Sequence, residues 1–209
     1  MKKMKKLIQN RGFTLIEVII VLAVISILAS MLVPIAVRNI DDARLTAAAK
    51  DTQSIATAIV NFHIDARPYW PAYSTNANFT NKNPDVYILE TKDGNVPTAT
   101  NNGYWISSFK HDTLENQLLL NNPDYPTTAW KGPYLGTIKE DPWGYRYYVS
   151  IGSLWDGSWG AAGADPAQAW VISAGPNGNI DTDPKGPLNS DPTPSPGDDI
   201  GFLVSSYSQ

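Results

Sequence analysis

Residues 11–37 read RGFTLIEVIIVLAVISILASMLVPIAV. Within 13–37 there is one charge, Glu17, and the uncharged run 18–37 is 20 residues long. A helix needs about 20 apolar residues to cross a bilayer core. Lys2, Lys3, Lys5, Lys6 and Arg11 stand in front of it with no acid among residues 1–12, a net +5. Basic residues ahead of a span hold that end on the cytoplasmic side. A secretory signal has a shorter apolar region and small residues at its cut. Here the run is too long and Ala29-Ser30-Met31 makes a poor cut site, so the segment reads as a retained membrane helix. Glu17 is the odd residue, because a carboxylate at that depth costs roughly a few kcal/mol unless paired. No Lys or Arg lies within 13–37, so its partner must come from elsewhere.

Working outward, residues 38–66 continue as helix with a new pattern. Ala48, Thr52, Ile55, Ile59, Phe62 and Ala66 recur at spacings of three and four, which puts them on one face. Arg38, Asp41, Asp42, Arg44, Lys50, Asp51 and Asp65 keep the rest polar, and Arg67-Pro68 closes the helix. A helix over 13–66 would run roughly 80 Å at 1.5 Å per residue. Its first half is apolar all round and its second half amphipathic. That combination suits a helix that packs among copies of itself and also, through its second half, on its own domain.

Residues 68–209 read as an exported globular domain without a second spanning run. Stretch 71–103 is rich in Asn, Thr, Pro and Ala and reads as loop, with a short strand at Val86–Glu90. Residues 113–120 read as a short helix, 145–151 (YRYYVSI) as a strand, 169–173 (AWVIS) as its partner and 201–205 as a last strand. The expected fold is α+β, a long N-terminal helix packed on a small antiparallel sheet. Asp141-Pro142-Trp143-Gly144 reads as a structural turn with Trp143 as a core plug.

Composition removes several classes of function. The chain has 209 residues, 16 Lys+Arg, 20 Asp+Glu, 2 His and no Cys. Disulfides, thiolate metal sites and a Cys nucleophile are therefore excluded. Beyond residue 12 there are 11 bases against 20 acids, a net −9, so the body is acidic and is not a nucleic-acid binder. No phosphate loop, nucleophile elbow or His-centred acid/base set occurs, so no enzyme is expected. Seven Trp and ten Tyr are scattered and define no single sugar platform.

Arg11-Gly12-Phe13-Thr14-Leu15-Ile16-Glu17, with the basic head before it and the apolar run after it, resembles the prepilin signature of the type IV pilin and pseudopilin superfamily. The resemblance implies a pilin-like fold and a leader, 1–12, that prepilin peptidase removes after Gly12. It implies methylation of the new N-terminal Phe13, and pairing of Glu17 with the Phe13 amine of a neighbouring copy. Pro34 matches a proline of the family's membrane helix. Segment 13–37 is then the transmembrane and filament-core half of the helix, 38–67 its amphipathic half, and 68–209 a periplasmic domain. Gly132-Pro133-Tyr134-Leu135, residues 139–147 (KEDPWGYRY), residues 173–178 (SAGPNG) and Gly197-Asp198-Asp199-Ile200 are similar to the major pseudopilins of type II secretion. Residues 71–130 and the loop 184–196 depart from that pattern.

The resemblance implies a structural subunit of a type II secretion pseudopilus, anchored in the inner membrane with its N-terminus cytoplasmic. Its implied partners are further copies in a helical filament, other pseudopilins, the prepilin peptidase and the inner-membrane assembly platform. The alternative is an extracellular type IV pilin for adhesion or motility; the lack of Cys and the acidic terminal loop favour the pseudopilus.

The same loop is expected to bind Ca²⁺. Asp181, Asp183, Asp198 and Asp199 lie in Pro/Gly-rich chain, where like charges repel and a hard cation would clip them. Asp181-Thr182-Asp183 with Gly186 begins like an EF-hand loop, but Lys185 and Pro192 occupy its ligand positions and exclude it. The resemblance points instead to the Ala174 carbonyl and the Asn177, Asp198 and Asp199 side chains. Asn177 stands where the family usually has Asp, and Asp181 or Asp183 would supply the missing charge.

Overall fold

In the computed structural model the described residues are 13–66, 70–71, 86–99, 105, 110–121, 125, 130–154, 168–182 and 197–206. The expectations for the leader, for 184–196 and for the helix-closing Arg67-Pro68 lie outside them. Helix α1 (Leu15–Ala66) is unbroken through Pro34. The chain divides into two compact units, Met1–Ala43 and Arg44–Gln209.

In the first unit, the helix exposes its apolar side chains all round, from Leu15 and Ile16 to Ile35 and Val37. In the second, the expected stripe is buried: Ala48, Thr52, Ile55, Ile59, Phe62 and Ala66, joined by Ala56 and Ala58. The small Ala side chains let the helix approach the sheet closely. Phe62 fills the space between, meeting Tyr125 and Tyr134 edge-on at ring-centroid distances of 5.0 and 5.5 Å.

Among the described residues the sheet has five strands: β1 (Val86–Glu90), β2 (Lys110–Thr113), β3 (Tyr148–Val149), β4 (Gln168–Ser173) and β5 (Ile200–Ser206). Their order is β2-β1-β3-β4-β5. Three pairings are antiparallel, but β1 and β2 run parallel, so the sheet is mixed rather than purely antiparallel as expected. The connection 91–109 is long enough to bring the chain back to the starting end, which a parallel neighbour requires. The sequence of β2, KHDT, has no apolar alternation to announce it.

Three further differences concern local structure. The helix expected over 113–120 is a five-residue π-helical turn, Glu115–Leu119. The strand expected over 145–151 shortens to two residues, because Ile151–Leu154 turns into a 3₁₀ helix and Tyr145 bridges to Asn95 outside the sheet. Trp143 is only half-buried and is not a core plug; among the described residues Trp105 is the fully buried tryptophan.

Alternation divides the strands between two cores. Val86, Leu89, Val149, Ala169 and Val171 face α1. Ile88, Tyr148 and Ile172 face the other way, where Trp105, Ala174 and Ile180 cover them. The acidic terminal loop is thus packed on the sheet face opposite the helix.

Candidate functional site

At the N-terminus Phe13 is 83% exposed, two residues ahead of the first helical residue. Gly12 lies outside the described residues. The Glu17 backbone N–H donates to Thr14 Oγ1 at 3.3 Å, and the Thr14 N–H points back at Glu17 Oε2 at 3.5 Å. This is a capping box, in which two N–H groups at the helix start are satisfied reciprocally. The Thr-x-x-Glu spacing carries that signal in the sequence, beside the prepilin reading of Glu17. Helix α1 is long and apolar enough to cross a membrane, with a mean hydropathy of 2.9 over its most apolar window.

The terminal loop is built from two ends of chain. Strand β4 stops at Ser173, and residues 175–178 form a turn in which Gly175 (φ 63°) and Gly178 (φ 67°) adopt left-handed conformations. A Cβ on Gly175 would lie 2.4 Å from the Asp198 carbonyl oxygen, so only glycine lets residues 197–199 close against this turn. The Asn177 N–H donates to Asp198 Oδ2 at 3.2 Å and its side-chain amide to Asp181 Oδ2 at 3.2 Å. The Asp181 N–H donates to Asp199 Oδ2 at 2.9 Å. Asn179, which the sequence reading passed over, gives its side-chain amide to Asp181 Oδ1. The Asn-Gly-Asn-x-Asp spacing was the available signal for it.

The structure therefore brings Asn177, Asp181, Asp198 and Asp199 together beside the 175–178 turn; Ala174 is buried just ahead of that turn, and Asp183 lies outside the described residues. Asp181 and Asp199 are only 2% and 5% exposed. Burial pushes the Asp199 carboxyl up to about 7, against hydrogen bonds from Thr182 and Asp181, and the Asp181 charge adds to the rise. Burial also raises Asp198, opposed by the Asn177 N–H.

The donor set is oxygen-only, the chemistry a hard cation takes. Asp198 Oδ1 is buried with no hydrogen-bond partner among the described residues, so a ligand atom is available. Among those residues no three His, Asp or Glu side chains converge on one point. Asp181 already has both oxygens engaged by Asn177 and Asn179. Asn177 is engaged likewise, its Oδ1 accepting the Asn179 N–H, so an ion held here would rely chiefly on Asp198 and Asp199 with carbonyl oxygens, and Asp181 would be a poor source of the extra charge.

The prokaryotic N-terminal methylation motif matches residues 8–33. The chain is 38% identical over 61 residues to the type II secretion system core protein G of Pseudomonas aeruginosa, across 29% of this chain and 43% of that protein. It is 27% identical over 150 residues to the core protein G of Vibrio cholerae, across 71% of this chain and 77% of that protein. The match thus spans less than half of the Pseudomonas protein. No solved structure matches. The methylation motif covers residues 11–17, which carry the resemblance to the type IV pilin and pseudopilin superfamily, and the α+β architecture is pilin-like.

Proposed function

We propose that this chain is a structural subunit of a type II secretion pseudopilus. Prepilin peptidase would cut between Gly12 and Phe13 and methylate the new amine. The mature subunit would stand in the inner membrane with its amine cytoplasmic and its globular domain periplasmic. The assembly platform and other pseudopilins would then build copies into a periplasmic fibre that moves proteins outward. The observation that carries this reading is the methylation motif leading directly into a helix whose apolar side chains are exposed all round, while its second half gives one face to a core. Such a first half is suited to a membrane and then to a bundle of identical helices.

Two measurements test it. The mass of purified fibres should begin at Phe13 plus one methyl, and replacing Gly12 with a bulky residue should leave the precursor uncut; an intact Met1 in fibres refutes the processing. Glu17→Val should abolish assembly while insertion persists, because an ammonium from the neighbouring copy loses its partner in hydrocarbon. Thr14→Ala is the control: it removes the capping partner and leaves the carboxylate. Equal loss in both variants would reduce Glu17 to a helix cap.

We further propose that the terminal loop binds Ca²⁺ through Asp198 and Asp199, with the Ala174 carbonyl and Asn177 as companions. A bound cation supplies the positive charge that lets these carboxylates stay ionised while buried. Asp198 Oδ1 offers the unengaged oxygen. The Asp181 N–H orients Asp199.

A further inference from the structure

The turn at 141–145 and the acidic loop are far apart in sequence but are tied at two points. Asp141 is buried, and its Oδ1 accepts the N–H groups of Trp143 at 3.0 Å and Tyr145 at 2.8 Å. Its other oxygen, Oδ2, is left to point out of the turn. The Ser173 hydroxyl donates to it at 2.6 Å, and Ser173 Oγ in turn accepts the Gly175 N–H at 3.2 Å. Ser173 is itself fully buried. One hydrogen-bond chain therefore runs from the turn to the first residue of the 175–178 turn, the residue that lies against Asp198.

The second tie is at the other end. The Tyr145 ring lies over Gly178, where an added Cβ would meet Tyr145 Cζ at 2.3 Å and its hydroxyl oxygen at 2.4 Å. The Gly178 carbonyl is also held by the Thr98 N–H at 2.9 Å. Tyr145 is in turn fixed to Asp141, both through the Asp141 side chain and by the Asp141 N–H donating to the Tyr145 carbonyl at 2.8 Å. Asn177, which donates to both Asp198 and Asp181, sits between the two fixed glycines.

We propose that the 141–145 turn is the positioning device of the ion loop: Asp141 acting through Ser173, and Tyr145 acting on Gly178, fix both ends of the 175–178 turn so that the Asn177 N–H holds Asp198 toward the ion. This rests on the calcium reading given above. Asp141 and Ser173 touch no ion on this account; they set the position of residues that do. A turn needs its Asp Oδ1 to bind the following N–H groups, but nothing in a turn requires Oδ2 to reach a serine at the end of β4. Groups that orient metal ligands without touching the metal typically change affinity by about 10–100-fold when removed.

The test is a titration of the mature full chain in detergent micelles with Ca²⁺ alone, beside melting curves taken in chelator. Ser173→Ala cuts the chain at its middle. Asp141→Asn keeps an oxygen for Trp143 and Tyr145 and replaces the one that faces Ser173. Each should weaken Ca²⁺ binding by about 10-fold or more. Asp198→Ala should abolish it. A purely structural role would lower the melting temperature in chelator and leave the dissociation constant unchanged, which overturns the proposal alone. Absence of Ca²⁺ binding by the wild type overturns the ion site as well. Should either variant fail to fold, the wild type still decides: Ca²⁺ should slow hydrogen exchange at the Gly175 N–H, and an unchanged rate there sinks the positioning role.

Discussion

Glu90 is half-buried at the end of β1, with Arg146 Nη1 at 3.0 Å and His111 Nδ1 at 3.4 Å from its two oxygens. Burial works to raise its carboxyl; hydrogen bonds from His111 and Tyr148 and the charges of His111 and Arg146 outweigh it and hold the group below its ordinary range. The folded state therefore binds this proton less tightly than the unfolded chain. The resulting stability is present above the usual carboxylate pKa and is lost as pH falls through the lower folded value. Glu90→Gln should be less stable than wild type near neutrality, and the gap should close as pH falls from about 6 toward 3. Urea melts at a series of pH values would show it, and a gap that stays constant would mean the ionised form is not favoured. Glu17 teaches a related lesson at the same scale. In one chain it closes a capping box with Thr14, and that local role is separate from the charge pairing proposed for the fibre.

At the scale of elements, α1 carries two burial regimes, one in each compact unit. Sidedness appears only after Ala43, where Ala48 to Ala66 turn one face to the sheet. Phe62 is fully buried against two tyrosines, so Phe62→Ala should destabilise the domain by about 3–5 kcal/mol. Chemical denaturation of the full chain in micelles measures this, and a loss under about 1 kcal/mol would mean that the site collapses around the smaller side chain. The 175–178 turn is the opposite case, held by glycines where side chains do not fit. Gly178→Ala meets both a positive φ and the Tyr145 ring. It should destabilise by at least about 1 kcal/mol, and restoring space with Tyr145→Ala should recover part of that loss. Purely additive losses in the two variants would show that the ring is not the obstacle.

For the whole molecule, the sheet is covered on both faces, by α1 on one side and by Trp105, Ala174 and Ile180 on the other. The loop that carries Asp198 and Asp199 is therefore part of a core layer. Whatever steadies that loop should steady the domain. Ca²⁺ at 100 times its dissociation constant should add about 2.7 kcal/mol to the unfolding free energy, with a melting temperature that climbs with concentration. Asp198→Ala should show no such climb. Superimposable wild-type curves in chelator and in millimolar Ca²⁺ would remove the ion from the account.

Residues 11–37 and the three-and-four spacing of Ala48 to Ala66 determined by themselves that the chain has a long helix, apolar all round and then one-sided. Helical periodicity and bilayer length are local properties, so a linear reading reaches them. Val86–Glu90 and the AWVIS strand were legible for the same reason, since alternation is local too. The parallel pairing of β2 was not, because KHDT becomes a strand only where β1 offers a free edge. The sequence named Asn177, Asp198 and Asp199 through a resemblance, but only the fold showed Asp181 engaged by two asparagine amides. The bond from Asp141 to Ser173 spans 32 residues, and no spacing rule reaches that far. Contacts of that kind are decided when strands and loops pack, by burial and by the need to satisfy each buried polar atom.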